Sequence, residues 1–238
     1  MPAPTYLGGN NVGQASRSGR DAYAACALTF AIAVPAGTNL LMVNFCGSMQ
    51  SAGATGTPTF NGVAMGAAWN ISTTGWNRRY IWYLLNPSIG TYNFSVSFGN
   101  ALNFGLSAVA ACFGGVDITN PFAGTNTGTA SGYTWSSSIT SDPLYYVYNA
   151  HQYTDRTAVD KTSYVNSPAV HYNYARAGYD DDTGSPQGAF SAAAGKAGVA
   201  GTNTITWNFP YGSGGNWYAI NLRGTMPPAG FSQSICLF

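Results

Sequence analysis

Between residues 91 and 98 the sequence reads TYNFSVSF, in which Tyr92, Phe94, Val96 and Phe98 alternate with Asn93, Ser95 and Ser97. A two-residue period is that of an extended strand, whose successive side chains leave opposite faces, so this segment predicts a strand buried on one side. The hairpin RRYIWYLLNPSIGTYNFSVSF that contains it is the clearest in the chain, with NPSIGT as its turn. Helix formers are scarce, with no Glu and only two Lys, while β-branched, aromatic and turn residues are common. Further strands are expected at 26–34, 40–46, 57–65, 79–85, 104–113, 144–148, 188–194, 202–209 and 217–223, separated by turn signals such as VPAGTN and PYGSGGN. Many short strands at this spacing predict an all-β fold, an antiparallel β-sandwich of jelly-roll or Ig-like kind.

The 238 residues allow one large all-β domain or two small ones. With neither an internal repeat nor a linker, a single sandwich domain over 22–224 is expected. Residues 1–21 have no amphipathic period and are read as an extended N-terminal arm. With few apolar anchors, one or both ends are expected to be held by a neighbouring chain, packing on their own domain being the alternative. Residues 225–238 form a C-terminal tail with two prolines and an apolar end. The run AYAACALTFAIAV (22–34) has the apolarity of a signal segment, but Cys26, Leu28, Phe30, Ile32 and Val34 share one face, and it is read as a strand. No run is long enough to cross a bilayer as a helix.

Charged residues make up 7% of the chain, against about 25% in an ordinary globular protein. The net charge of +1 gives no electrostatic footprint for nucleic acid. A neutral surface rich in hydroxyls and amides is poorly protected against self-association and suits a protein covered by neighbours. The spacing of Cys26, Cys46, Cys112 and Cys236 fits no zinc pattern, and the first three lie in apolar runs, where buried thiols are expected, one disulfide being the alternative.

Five pieces in fixed order resemble a β-sandwich domain found in phage and prophage structural proteins and in bacterial surface proteins. They are FAIAVPAGTNLLMVNF, PTFNGVAM, YIWYLLNPSIGTYNFSVSF, AVAACFGGVDITNPFAG and WYAINLRG, lying between residues 30 and 224, and the resemblance covers roughly residues 24–224. The resemblance implies the sandwich fold. It brings no catalytic residues, and such domains serve as stalks, adhesins and virion parts.

Chemical candidates are few. Asp180, Asp181 and Asp182 stand in a row in RAGYDDDTGSPQG, in a chain with eight acidic residues. They read as a solvated loop, or one paired with Arg176 or Arg156. Calcium is the alternative, with Asp155 or Asp160 approaching through the fold. His151 and His171 each sit beside tyrosines and are expected to be polar partners of Tyr or backbone; no nucleophile stands in a recognisable setting for either. Asp117 and Asn120 in GGVDITNP are expected in Asx turns. The aromatic clusters around Trp69–Tyr83, Tyr145–Tyr153 and Tyr164–Tyr179 are expected to be core in large part, with protein interfaces or stacking on sugar rings for the remainder. Asn70 and Asn93 stand in glycosylation-type triplets, a pattern frequent by chance.

These readings lead to a non-enzymatic protein without cofactor: a virion structural protein of a tailed phage, either a capsid decoration protein or a tail fibre or appendage subunit. Its partners would be further copies of itself, as a homo-oligomer, and other virion proteins, assembled in the host cytoplasm. The alternative is a bacterial surface adhesin or carbohydrate-binding module at the cell surface, binding glycans with or without calcium.

Overall fold

The computed structural model describes residues 3–8, 12–16, 25–49, 56–72, 77–155, 164–165, 171–179 and 187–225. They form strands in the order β1 (Thr5–Gly8), β2 (Val12–Ser16), β3 (Ala25–Val34), β4 (Leu40–Met49), β5 (Thr59–Phe60), β6 (Val63–Ala64), β7 (Gly66–Ser72) and β8 (Asn77–Leu85). There follow β9 (Gly90–Gly114), β10 (Phe122–Ser141), β11 (Tyr145–Asp155), β12 (Tyr164–Val165), β13 (His171–Tyr179), β14 (Gln187–Ala197) and β15 (Gly201–Arg223). The fold is all-β and antiparallel, of sandwich type.

The strands make three stacked layers. The long strand β9 belongs to two of them: residues 90–98 pair with β3, and β5 joins at Ser95 and Phe94. Residues 105–113 of β9 pair with β4, which continues to β8 and β7. The third layer runs β10-β15-β11-β14-β13.

Burial follows from this stacking. Leu28, Ile32, Phe94 and Val96 of the first layer meet Leu41, Val43, Phe45, Trp82, Ala108 and Ala110 of the middle one. The middle layer's other face, with Leu40, Met42, Ile81, Val109 and Phe113, meets Tyr146, Tyr148, Ile220 and Leu222 of the third. Being buried on both sides, β4 and the second half of β9 read as near-continuous apolar runs, whereas residues 91–98 are covered on one side and alternate.

The third layer is also covered on its far face. β10 and β15 pair along most of their length, and beyond Gly132 the hairpin folds back, setting Trp135, Ile205 and Trp207 on Val147, Phe190 and Ala192. Asn126 Nδ2 donates to Ser138 O at 2.7 Å and Asn221 Nδ2 to Thr140 O at 2.8 Å, tying the folded-back half to the strands beneath.

Several expectations change. The segment expected as one strand at 57–65 is a hairpin, β5 and β6, turning through Asn61 (φ 49°) and Gly62 (φ 75°); two successive positive φ values suit the twist of a tight hairpin. The pieces at 91–98 and 104–113 fuse into β9, and those at 202–209 and 217–223 into β15. β7, β10, β12 and β13 were not expected as strands. The arm at 1–21 is corrected in its described part: β1 and β2 pair with β9 of the same chain, and Tyr6 lies edge-on to Phe113 at 5.9 Å. The open edge of β9 supplies the backbone partners that a neighbouring chain was expected to give. Residues 226–238 of the tail lie outside the described residues.

Candidate functional site

Asp180, Asp181 and Asp182 lie outside the described residues, as do Arg156, Asp160 and Cys236. Asp155 closes β11, and His171 and Arg176 are placed in β13 by backbone pairing. Among the described residues no three His, Cys or acidic side chains converge as metal ligands. Asp117 accepts from the backbone N–H of Thr119 at 2.9 Å and of Asn120 at 3.3 Å, which is the expected turn. Cys46 and Cys112 are buried thiols. Burial pushes both above the ordinary thiol range, Cys112 to about 12, with Arg79 partly offsetting it at Cys46, so neither is poised as a nucleophile.

His151 is fully buried between Trp135, at 5.5 Å, and Trp207, at 4.7 Å. Burial lowers its pKa to about 3. Its neighbour in β11, Gln152, faces the opposite way, into the interface between the middle and third layers. A polar seam runs there. Gln152 Nε2 donates to Asn44 Oδ1 and, at 3.0 Å, to Tyr80 O. Asn44 Nδ2 donates to Ala192 O at 2.9 Å, and the hydroxyls of Ser107 and Ser191 meet at 3.0 Å. At the seam's end Arg79 Nη1 donates to Asn216 Oδ1. Strand alternation thus puts the imidazole and these two serine hydroxyls on opposite faces of the third layer. The seam pairs the Asn44 amide and the Gln152 amino group and joins two sheets, while Gln152 Oε1 is buried without a hydrogen-bond partner. Sequence reasoning missed it; its signal was a lone polar residue inside an apolar run, Asn44 in LLMVNFC and Ser107 in GLSAVAACF.

The aromatic clusters divide as the layers require. Tyr80, Trp82, Tyr146 and Tyr148 are core, and Trp69 and Tyr83 pack edge-on against Phe122 at 5.2 Å. The side chains of Trp76, Tyr153, Tyr164, Tyr172, Tyr174 and Tyr179 lie outside the described residues.

The surface is more informative than the interior. The outer face of the first layer presents Ala27, Thr29, Ala31 and Ala33 of β3 beside Thr91, Asn93, Ser95 and Ser97 of β9. On the opposite side of the molecule, the folded-back hairpin presents Thr134, Ser136, Ser138 and Thr140 opposite Asn208, Thr206, Thr204 and Thr202. The hydroxyls bond across the strands: Thr134 Oγ1 donates to Asn208 Oδ1 at 3.0 Å, and Ser136 lies 3.1 Å from Thr206. None of these sixteen positions is charged. Short side chains lose little rotamer freedom when covered, and a sheet face of short side chains lets another surface approach closely.

A hollow of about 400 Å³ opens on the first layer, lined by Thr59, Asn61, Gly62, Thr91, Tyr92, Asn93 and Ser95. Tyr92 is 37% exposed there, with its edge toward Phe60 beneath.

No family model, no curated protein and no solved structure matches this chain.

Proposed function

We propose that the protein is a structural subunit of an assembly, and specifically a virion component of a tailed phage, a capsid decoration protein or a fibre or appendage subunit. The observation that carries this reading is the pair of outer sheet faces built from the short side chains of Ala, Ser, Thr and Asn without a charge. A sheet face left in water ordinarily carries charged side chains that hold other proteins off. These two faces lack that protection, and covering them orders few rotamers. The phage assignment rests on the sequence resemblance, and with it the location in the virion. No catalytic step enters: the chemistry is burial, hydroxyl and amide hydrogen bonding, and backbone pairing.

The test is the light-scattering mass of the untagged chain on a sizing column. A fixed multiple of 24.9 kDa is expected, unchanged between calcium and chelator. A monomer at every concentration sinks the reading, and a mass that falls with chelator shows a calcium-dependent assembly, for which Asp180, Asp181 and Asp182 are then the first residues to substitute.

One observation favours a second reading, a glycan-binding module at a cell surface. The Tyr92 hollow combines an exposed ring with the amides of Asn61 and Asn93 and several hydroxyls, and rings stack on apolar sugar faces while amides bond sugar hydroxyls. On this reading Tyr92→Ala reduces binding on a glycan array about tenfold or more. An array that shows no ligand for the native protein removes the reading.

A further inference from the structure

We infer that the first half of β10 is a self-pairing edge, through which two copies of this chain join in one continuous sheet. The inference rests on the assembly reading and names its contact.

β10 ends the order of the third layer, and among the described residues no strand pairs with its outer side from Phe122 to Gly132. An open edge presents a row of backbone N–H and C=O groups, which proteins usually protect with charge, proline or brevity. β10 has none of these. It is twenty residues long, and the sequence from 122 to 141 has no proline and no charged residue. The folded-back half is treated differently, since its Ser138 and Thr140 carbonyls accept from Asn126 and Asn221.

The sequence also selects the occupant. Residues 124–132 read GTNTGTASG, nearly symmetric about Gly128. A two-fold axis at Gly128, perpendicular to the sheet, sets Thr127 opposite Thr129 of the second copy, Thr125 opposite Ser131, Asn126 opposite Ala130, and Gly124 opposite Gly132. Antiparallel two-fold pairing keeps facing side chains on one side of the sheet, so the hydroxyl rows of both copies meet as cross-strand Thr–Thr and Thr–Ser pairs, a favourable combination. No like charges come together, because none are present. Tyr133, the most exposed large apolar side chain described, at 66%, stands just beyond the end of this segment. The Trp217 ring lies over Gly128, within 2.6 Å of where a Cβ would stand, so residue 128 itself has no room for a side chain.

The experiment uses the full chain with Thr127→Lys and Thr129→Lys together, and a second variant with Thr127→Asp and Thr129→Asp. Both positions are exposed and outside the cores, so thermal midpoints near the native one are expected. Each variant alone sets like charges directly opposite one another across the axis. Its self-association is expected to weaken by about tenfold or more, halving the light-scattering mass. An equimolar mixture of the two, with opposite charges facing, is expected to recover the native mass. If both variants keep the native mass, the edge is not the contact, although the assembly reading survives. If the native chain is itself a monomer, both fall. Variants that separate but do not recover on mixing overturn the register about Gly128.

Discussion

Trp82→Ala is expected to lower the free energy of unfolding by about 3–5 kcal/mol, the range for emptying a large aromatic site in a core. Trp82 is 2% exposed. Its ring stacks on Tyr80 at 4.9 Å and 11°, and lies 5.1 Å from Phe45 and 5.7 Å from Phe94. These partners come from β4, β8 and the first half of β9, so the ring sits where the first layer closes over the middle one. The aromatic neighbours cannot all shift into the vacated volume, because each also packs on a different strand. A shift in denaturant midpoint at constant slope measures the loss. A change below about 1 kcal/mol would mean that the first layer is not seated on Trp82 as described.

A loss of stability on acidification is the second large effect, and His151 is its source. In the folded chain its pKa is about 3, because burial between two tryptophans disfavours the charged ring. In the unfolded chain it returns to the ordinary value near 6.5. The unfolded state therefore takes up the proton first. The contribution is fully present above about pH 6.5 and drains away as the pH falls toward 3. The limb amounts to roughly 4–5 kcal/mol in all, at about 1.4 kcal/mol per pH unit. His151→Phe keeps a ring between Trp135 and Trp207 and removes the proton. Its thermal midpoint is expected to change much less than the native one between pH 6.5 and 4. An equally steep acid limb in the variant would assign the loss to other groups. At the alkaline end the buried phenols of Tyr146 and Tyr148 are held above the ordinary range by desolvation, so stability should decline again above about pH 10.

Much of the fold was legible because local pattern and tertiary setting agree. Residues 91–98 alternate since one face of the first layer meets solvent, and residues 40–46 are apolar except at Asn44 since both faces of the middle layer are covered. Periodicity reports that a strand is buried on two sides but not what buries it, so the third layer could not be told from the second. β10 escaped notice for a different reason. GTNTGTASG has the composition of a loop, and only long-range pairing with β15 makes it a strand. The arm was misread because β1 and β2 are held by backbone pairing to β9, which leaves little trace in side-chain type. Of the candidate site, the uncharged hydroxyl- and amide-rich surface was visible in composition, while its segregation onto two opposed faces depends on which alternate positions point outward.

The double burial of the middle layer also bears on uniqueness. In a strand with one wet face, slipping by a single residue turns the apolar set to solvent, and the alignment corrects itself. In β4 and the second half of β9 a slip exchanges one set of apolar side chains for another, so hydrophobicity alone tolerates several alignments. The polar seam removes that degeneracy. Asn44 must meet the Ala192 carbonyl, Gln152 must reach Tyr80, and Ser107 must face Ser191; in any shifted alignment these groups are buried without partners. The seam acts as a set of registration marks that picks one stacking of the sheets from a family of otherwise near-equivalent ones.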